Sequence, residues 1–186
     1  MEVTSLYFDR PGPENTDAVL AASARRASEL GITQVVVATS TGKTALVAAR
    51  AFRDRRIVGV TLQRGLWEKY VGTDAATVEE AESLGVTFLT CPHTLMGAVD
   101  SAIGEKFGGV PPQHLISHVY YTWSQGTKVA VECMMMAADA GLLDMSQEVV
   151  SVAGTDHGAD TALVLKPVFS HDFFSLRIRE LIAKPR

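Results

Sequence analysis

Cysteine is nearly absent from this chain: Cys91 and Cys133 are the only two in 186 residues. They provide no disulfide framework, and a reducing, cytoplasmic setting is expected. No apolar run reaches bilayer-spanning length, so no membrane partner is expected. The opening MEVTSLYFDRPG carries an early acid and no apolar centre, which argues against a secretory leader. Positive charge is scarce as well. At a formal net charge of −4 the chain lacks the clustered Lys and Arg that grip a nucleic-acid backbone, and no nucleic acid is expected as partner. Tandem repeats and low-complexity tracts are missing. What is present is 47% apolar and 20% charged, enough to build a substantial core, and a single domain over residues 1–186 is expected.

Helix and strand patterns alternate along the chain. VTSLYF predicts a short edge strand closed by Pro11 and Pro13. ENTDAVLAASARRASELG predicts a helix with Asn15 or Thr16 as its cap, an apolar stripe of Leu20, Ala24 and Ala27, and Gly31 as its stop. ITQVVVA, RIVGVTL and VTFLT follow as strands. Helices separate them, one from about Thr44 to Asp54 and one carrying Val78, Ala81 and Leu84. ITQVVVA in particular is a continuous apolar run, as in a strand covered on both faces. TLMGAVDSAIGEKFGG, QHLISHVYYTW and QGTKVAVECMMMAADAGLL read as three helices. The last is apolar nearly all round, which assigns Met134, Met135 and Met136 to core or interface packing. EVVSVAG is the fourth core strand. TALVLKPV, the fifth, follows a loop too short for a parallel crossover and so runs antiparallel. FFSLRIRELIAK predicts a closing amphipathic helix. Together these elements predict an α/β fold: a three-layer α/β/α sandwich on a mostly parallel sheet whose last core strand is antiparallel.

Chemistry concentrates in two loops. The first is Thr39-Ser40-Thr41-Gly42-Lys43-Thr44. Its Gly-Lys-Thr resembles a P-loop, but that pattern needs a glycine five residues before Gly42, and Val37 stands there. A loop that wraps a triphosphate is therefore excluded. There remain a strand end, hydroxyl side chains, and a helix start whose free N–H groups and positive dipole end suit one phosphate. Helix capping by Ser40 or Thr41 is the plainer alternative. In the second loop, AGTDHGADTA, Gly154, Thr155 and Gly158 frame Asp156, His157 and Asp160, more ionisable groups than a turn requires. Both loops leave strand carboxyl ends, where open α/β sheets bind ligands.

Other residues carry two readings each. Asp156, His157 and Glu132 are the acid–base candidates, should the protein be an enzyme. Lys128, Glu132 and Asp139 share a helix face that is either a solvated stripe or a site lining. Trp67 and Tyr70 either cover a flat ligand or pack their own loop down. Cys91, His93 and Cys133 match no zinc spacing, and no metal is expected.

QVVVATSTGKTALVAARAFRDRRIVGVT resembles the C-terminal domain of pyruvate kinase, where a strand, a Thr/Ser-Gly-basic-Ser/Thr loop and an Ala-rich helix follow in this order. EVVSVAGTDHGADTALVLKPV is similar to the last two strands of that domain and the loop between them. With YFDRPGPENT, KFGG, QGTKVAVE, MAADAGLL and IAKPR added, the whole chain resembles the stand-alone pyruvate kinase C-terminal-like proteins of archaea and bacteria. The resemblance implies the same three-layer fold. It further implies that the loop from Thr39 to Thr44 holds a phosphate, as its counterpart holds that of a sugar-bisphosphate effector, with help from Gly154 to Gly158. The resembling domain regulates, and without the catalytic barrel no pyruvate kinase activity is expected. Asp156 and His157 replace a Trp/Arg-type pair here, and an acid at that place repels a second phosphate. The expected ligand is a phosphorylated small molecule: a sugar phosphate, a nucleotide, or FMN with its ring near Trp67, Tyr70 or His157. A homo-oligomer is also expected.

Overall fold

The computed structural model describes residues 2–67 and 69–186. Strands β1 (Leu6–Phe8), β2 (Gln34–Ala38), β3 (Arg56–Val60), β4 (Val86–Leu89), β5 (Val149–Ala153), β6 (Thr161–Lys166) and β7 (Arg177–Pro185) form one sheet in the order β1-β7-β6-β5-β2-β3-β4. β6 alone runs against the rest, pairing antiparallel with β5 and β7, while the other pairs are parallel. The helices are α1 (Thr16–Leu30), α2 (Lys43–Ala51), α3 (Ala75–Ser83), α4 (Val99–Phe107), α5 (Pro112–Tyr121) and α6 (Gln125–Asp139).

The run of valines in β2 has its explanation in the layering. Val35 and Val37 enter the core under α1 and α2, whereas Val36 enters a second core under α6. Successive strand side chains point to opposite faces, so a strand covered twice must be apolar at every position. α1 stops where expected: Gly31 adopts φ 68°, and its N–H reaches the carbonyls of Ala27 and Ser28. Neither Asn15 nor Thr16 caps α1 through its side chain; the Thr16 hydroxyl instead donates to the Pro13 carbonyl at 2.6 Å.

One expectation is corrected. The helix expected over FFSLRIRELIAK is a short 3-10 turn, Ser170–Ser175, followed by β7. Ile178, Leu181 and Ile182 have the i, i+3, i+4 spacing of a helix face. Yet the ladder with β6 slips twice, so Leu163 faces Leu181 and Leu165 faces Ile178 across one surface. The bulges carry extra residues, and a strand with bulges loses its period of two. The methionine run, read as core or interface packing, proves to be core. Met134, Met135 and Met136 are all buried within the subunit, packed between α6 and the sheet, and form no outer surface.

The α6 N-terminus is set by close approach. A Cβ on Gly126 would lie 2.3 Å from the Thr161 hydroxyl oxygen, so only glycine lets this turn rest on the start of β6. The Gly126→Ala variant should therefore lose about 1–3 kcal/mol to overpacking, read as a lowered urea midpoint with an unchanged slope.

Candidate functional site

The pairing of Val37 with Val152 sets the ends of β2 and β5 side by side. From that edge α2 carries the chain one way, to β3, and the hairpin into β6 carries it the other. Strand order thus reverses between the loop after β2 and the loop after β5, and such a crevice is the general ligand position in open α/β sheets.

The loop after β2 is held from inside. Thr39 is buried; its N–H donates to the Val60 carbonyl, and its hydroxyl accepts from the Gly42 N–H at 3.1 Å. Gly42 adopts φ 96° just before α2, and a Cβ there would stand 3.0 Å from a Val78 methyl. The Thr41 carbonyl accepts from the Asp74 N–H at 3.0 Å, which ties this loop to the start of α3. Among the described residues, nothing accepts from the N–H groups of Ser40, Thr41 or Thr44. Neither Ser40 nor Thr44 caps α2, and the Thr41 hydroxyl makes only a long 3.4 Å bond with the Lys43 N–H. Lys43 is exposed beside this opening. A nearby acid is restrained: hydrogen bonds from the Thr77 hydroxyl and N–H, with a smaller pull from Lys43, hold the Asp74 carboxyl below its ordinary range.

The loop after β5 is clamped on two sides. Gly158 has φ 68° and sits so tightly against Pro13 and Thr16 that a Cβ would clash, while Gly154 lies against the Gly158 carbonyl. The Ala159 N–H donates to the Thr16 hydroxyl at 3.0 Å. Asp160 organises the whole loop. It is fully buried, and its carboxylate accepts from the Gly12 N–H at 3.3 Å, the Thr155 N–H at 3.1 Å and the Thr161 hydroxyl at 2.8 Å. It also lies at the N-terminus of α6, where a helix favours negative charge. The sequence names Thr16 as a cap and Asp160 as one ionisable group of the loop, but not their fastening role, because their partners are distant in the chain.

The three acid–base candidates do not converge. Asp156, at φ 60°, and His157 stand exposed, and among the described residues neither side chain has a hydrogen-bond partner. Glu132 is buried on α6, one oxygen on the Lys128 ammonium and the other accepting from the N–H groups of Leu95 and Met96 at 2.8 and 3.0 Å. Lys128 and Glu132 are thus no solvated stripe but a buried ion pair that anchors the segment after β4, while Asp139 is exposed and accepts from the Ser170 N–H.

Trp67 is occupied within its own loop, donating to the Leu62 carbonyl at 2.8 Å with Arg64 stacked 4.1 Å above its ring; Tyr70 is exposed. His93 zips two loops together, its Nε2 accepting from the Gln63 N–H and its Nδ1 facing the Met96 carbonyl. No group of three potential metal ligands occurs among the described residues. Burial raises the pKa of both thiols, with further upward pushes on Cys91 from Asp139 and Glu132 and on Cys133 from Glu132. Both therefore stay protonated and unreactive at neutral pH.

The family model described as "pyruvate kinase, alpha/beta domain" matches residues 17–165. The chain belongs to this family. The matched span takes in both loops and the strands that carry them. Among solved structures, the chain is similar to pyruvate kinase of Cryptosporidium parvum in complex with ADP, at 13% identity and a TM-score of 0.40, over 80% of this chain and 22% of that one. A second structure of pyruvate kinase from Cryptosporidium parvum matches at 12% identity and a TM-score of 0.36, over 74% of this chain and 20% of the other. The chain thus spans about a fifth of the length of these enzymes. No described helix is long and apolar enough to cross a membrane.

A further polar cluster lies beyond β4. Asp100 accepts from His114 Nε2 at 2.6 Å, from the Ala98 and Gly97 N–H groups at 3.0 and 3.3 Å, and from the Ser101 hydroxyl. Burial works to raise the Asp100 pKa, but these donors prevail and hold it below the ordinary carboxylate range. Ser101 and Asp100 both meet the same ring nitrogen of His114, so the trio cannot relay a proton as a nucleophilic triad does.

Two outcomes follow from these buried carboxylates. Glu132→Ala should cost about 3–5 kcal/mol by leaving the Lys128 charge unpaired in the core. Lys128→Met combined with Glu132→Gln keeps an acceptor for Leu95 and Met96 and should recover most of that loss, measured by urea unfolding. Asp100→Ala should cost about 2 kcal/mol at neutral pH through its charge-assisted hydrogen bonds. Because the folded pKa is depressed, this stabilisation is present above the unfolded value of about 3.9 and disappears as pH falls through the folded value. Wild type and Asp100→Ala should accordingly converge in stability under strongly acid conditions.

Proposed function

We propose that this protein binds a phosphorylated small molecule, with the phosphate on the Ser40–Thr44 loop at the N-terminus of α2 and Gly154, Thr155 and Gly158 forming the opposite wall. The observation that carries this reading is the set of open N–H groups of Ser40, Thr41 and Thr44 beside Lys43, set at the reversal of strand order. Backbone N–H groups aimed outward at a helix start provide an anion site with positive potential and no desolvated cation. Membership of the pyruvate kinase alpha/beta domain family supports a ligand-binding role over a catalytic one, in keeping with the exposed Asp156 and His157 and the tied-up Glu132. FMN is the ligand to try first, because Tyr70 and His157 are exposed and free to meet a flat ring, whereas Trp67 is engaged in its own loop.

The test is thermal unfolding with inorganic phosphate, FMN, sugar phosphates and nucleotides, together with an absorption spectrum of the protein as purified. A ligand held at one hundred times its Kd should add about 2.7 kcal/mol of stability. Thr44→Glu puts a carboxylate at the second position of α2, where the helix dipole favours it, so the fold should hold while the cradle fills itself. That variant should lose at least tenfold in affinity. If no phosphorylated compound stabilises the wild type, the reading is wrong.

A further inference from the structure

One helix is poorly covered by the rest of the molecule. α4 buries only Asp100; Val99, Ala102, Ile103 and Phe107, at i, i+3, i+4 and i+8, all face solvent. The helix has nine residues, below the roughly 12–15 at which an isolated helix becomes even marginal in water. Its apolar stripe therefore needs a surface that its own subunit does not provide. Gly97 at φ 116° and Gly108 and Gly109 at φ 76° and 86° bracket it, so it leaves and rejoins the body as an arm.

A second uncovered stripe lies on α5. Leu115 and Val119 on α5, continued by Trp123 in the turn just after it, repeat in sequence the spacing of four seen in Val99, Ile103 and Phe107. Trp123 also borders a cavity of about 330 Å³ between α5, the start of α6 and β7, lined by Tyr120, Leu163, Ile178 and Leu181. Both stripes start at one corner, where Asp100 in the first turn of α4 meets His114 in the first turn of α5. These six side chains are between 49% and 75% exposed. Summed over their surfaces this is on the order of 700 Å², close to the roughly 800 Å² each partner buries in a standard interface.

We propose that a second copy of this chain covers this corner, the α4 arm of each copy lying along the α5 stripe of the other about a two-fold axis. A two-fold interface must be self-complementary, and here one chain holds both halves: a projecting apolar helix and an uncovered apolar stripe with the same spacing in sequence. Ridges spaced by four on both helices pack into each other's grooves. Glu105 and Lys106, adjacent and exposed on the arm, give the rim both signs of charge, so two copies need not repel. The interface stands independently of the phosphate site.

Light scattering on a sizing column and sedimentation equilibrium test the assembly. The wild type should run at twice the chain mass, and Phe107→Glu should weaken association at least a hundredfold while melting as the wild type does under dimer-independent conditions. Leu84→Glu, an exposed apolar position on the α3 side, should remain a dimer. Ile103→Glu and Val119→Lys should each be monomeric alone and should associate with each other when mixed, because only the α4-to-α5 arrangement pairs the two charges. A monomeric wild type, including one that sediments only with anionic or neutral vesicles, overturns the proposal. So does a dimer that survives Phe107→Glu and Val119→Lys, since its interface would lie elsewhere.

Discussion

The parallel pairing of β2 with β5 is the contact on which the rest of this structure depends. Both strands are buried on both faces, so each must end in a loop that climbs out at the same edge. One loop turns into α2 and the other into the antiparallel β6, and the divergence opens a crevice that neither loop makes alone. The position of the proposed anion site is thus a property of chain topology, while its chemistry belongs to a few residues at the start of α2.

α6 gives that edge its rigidity from the opposite layer. Its N-terminal half presses against β6 through Gly126 and faces the buried Asp160, which gathers the N–H groups of Gly12 and Thr155. Two turns on, Glu132 gathers those of Leu95 and Met96. In both cases a buried carboxylate organises loop backbone that would otherwise need water. The cost of burying each charge is offset by several hydrogen bonds, by an ion pair for Glu132 and by the helix N-terminus for Asp160. Residues with the chemistry of catalysts are here fastening loops, and the loop surface left open is backbone N–H.

How much of this could be read beforehand varied with the kind of information involved. The core strands announced themselves, because a twice-covered strand has to be apolar at every position and its neighbours had the length of helices. The antiparallel course of TALVLKPV followed from a loop too short to cross the sheet. β7 misled because its bulges place Ile178 and Leu181 on one face at a spacing of three, which in sequence is the mark of a helix. The methionine run was ambiguous between core and interface, and packing against the sheet made it core. Meanwhile the exposed apolar stripes of α4 and α5 have the same periodicity as buried ones. Periodicity reports that a face is apolar; it does not report what covers it.

The sequence by itself determined much of the local grammar: where strands and helices fall up to β6, that the Gly-Lys-Thr loop lacks the glycine of a triphosphate binder, and that two loops rich in polar groups leave strand ends. These depend on neighbours in the chain and on hard-sphere limits at glycine, which a string of residues encodes directly. Only the tertiary structure decided which polar residues are spoken for. Glu132 is consumed by Lys128 and by backbone 36 and 37 residues away, Asp160 by Gly12, 148 residues away, while Asp156 and His157 are left in solvent. A side chain's chemistry is set by its partners in space, and those partners are chosen by the packing of layers that no local pattern specifies.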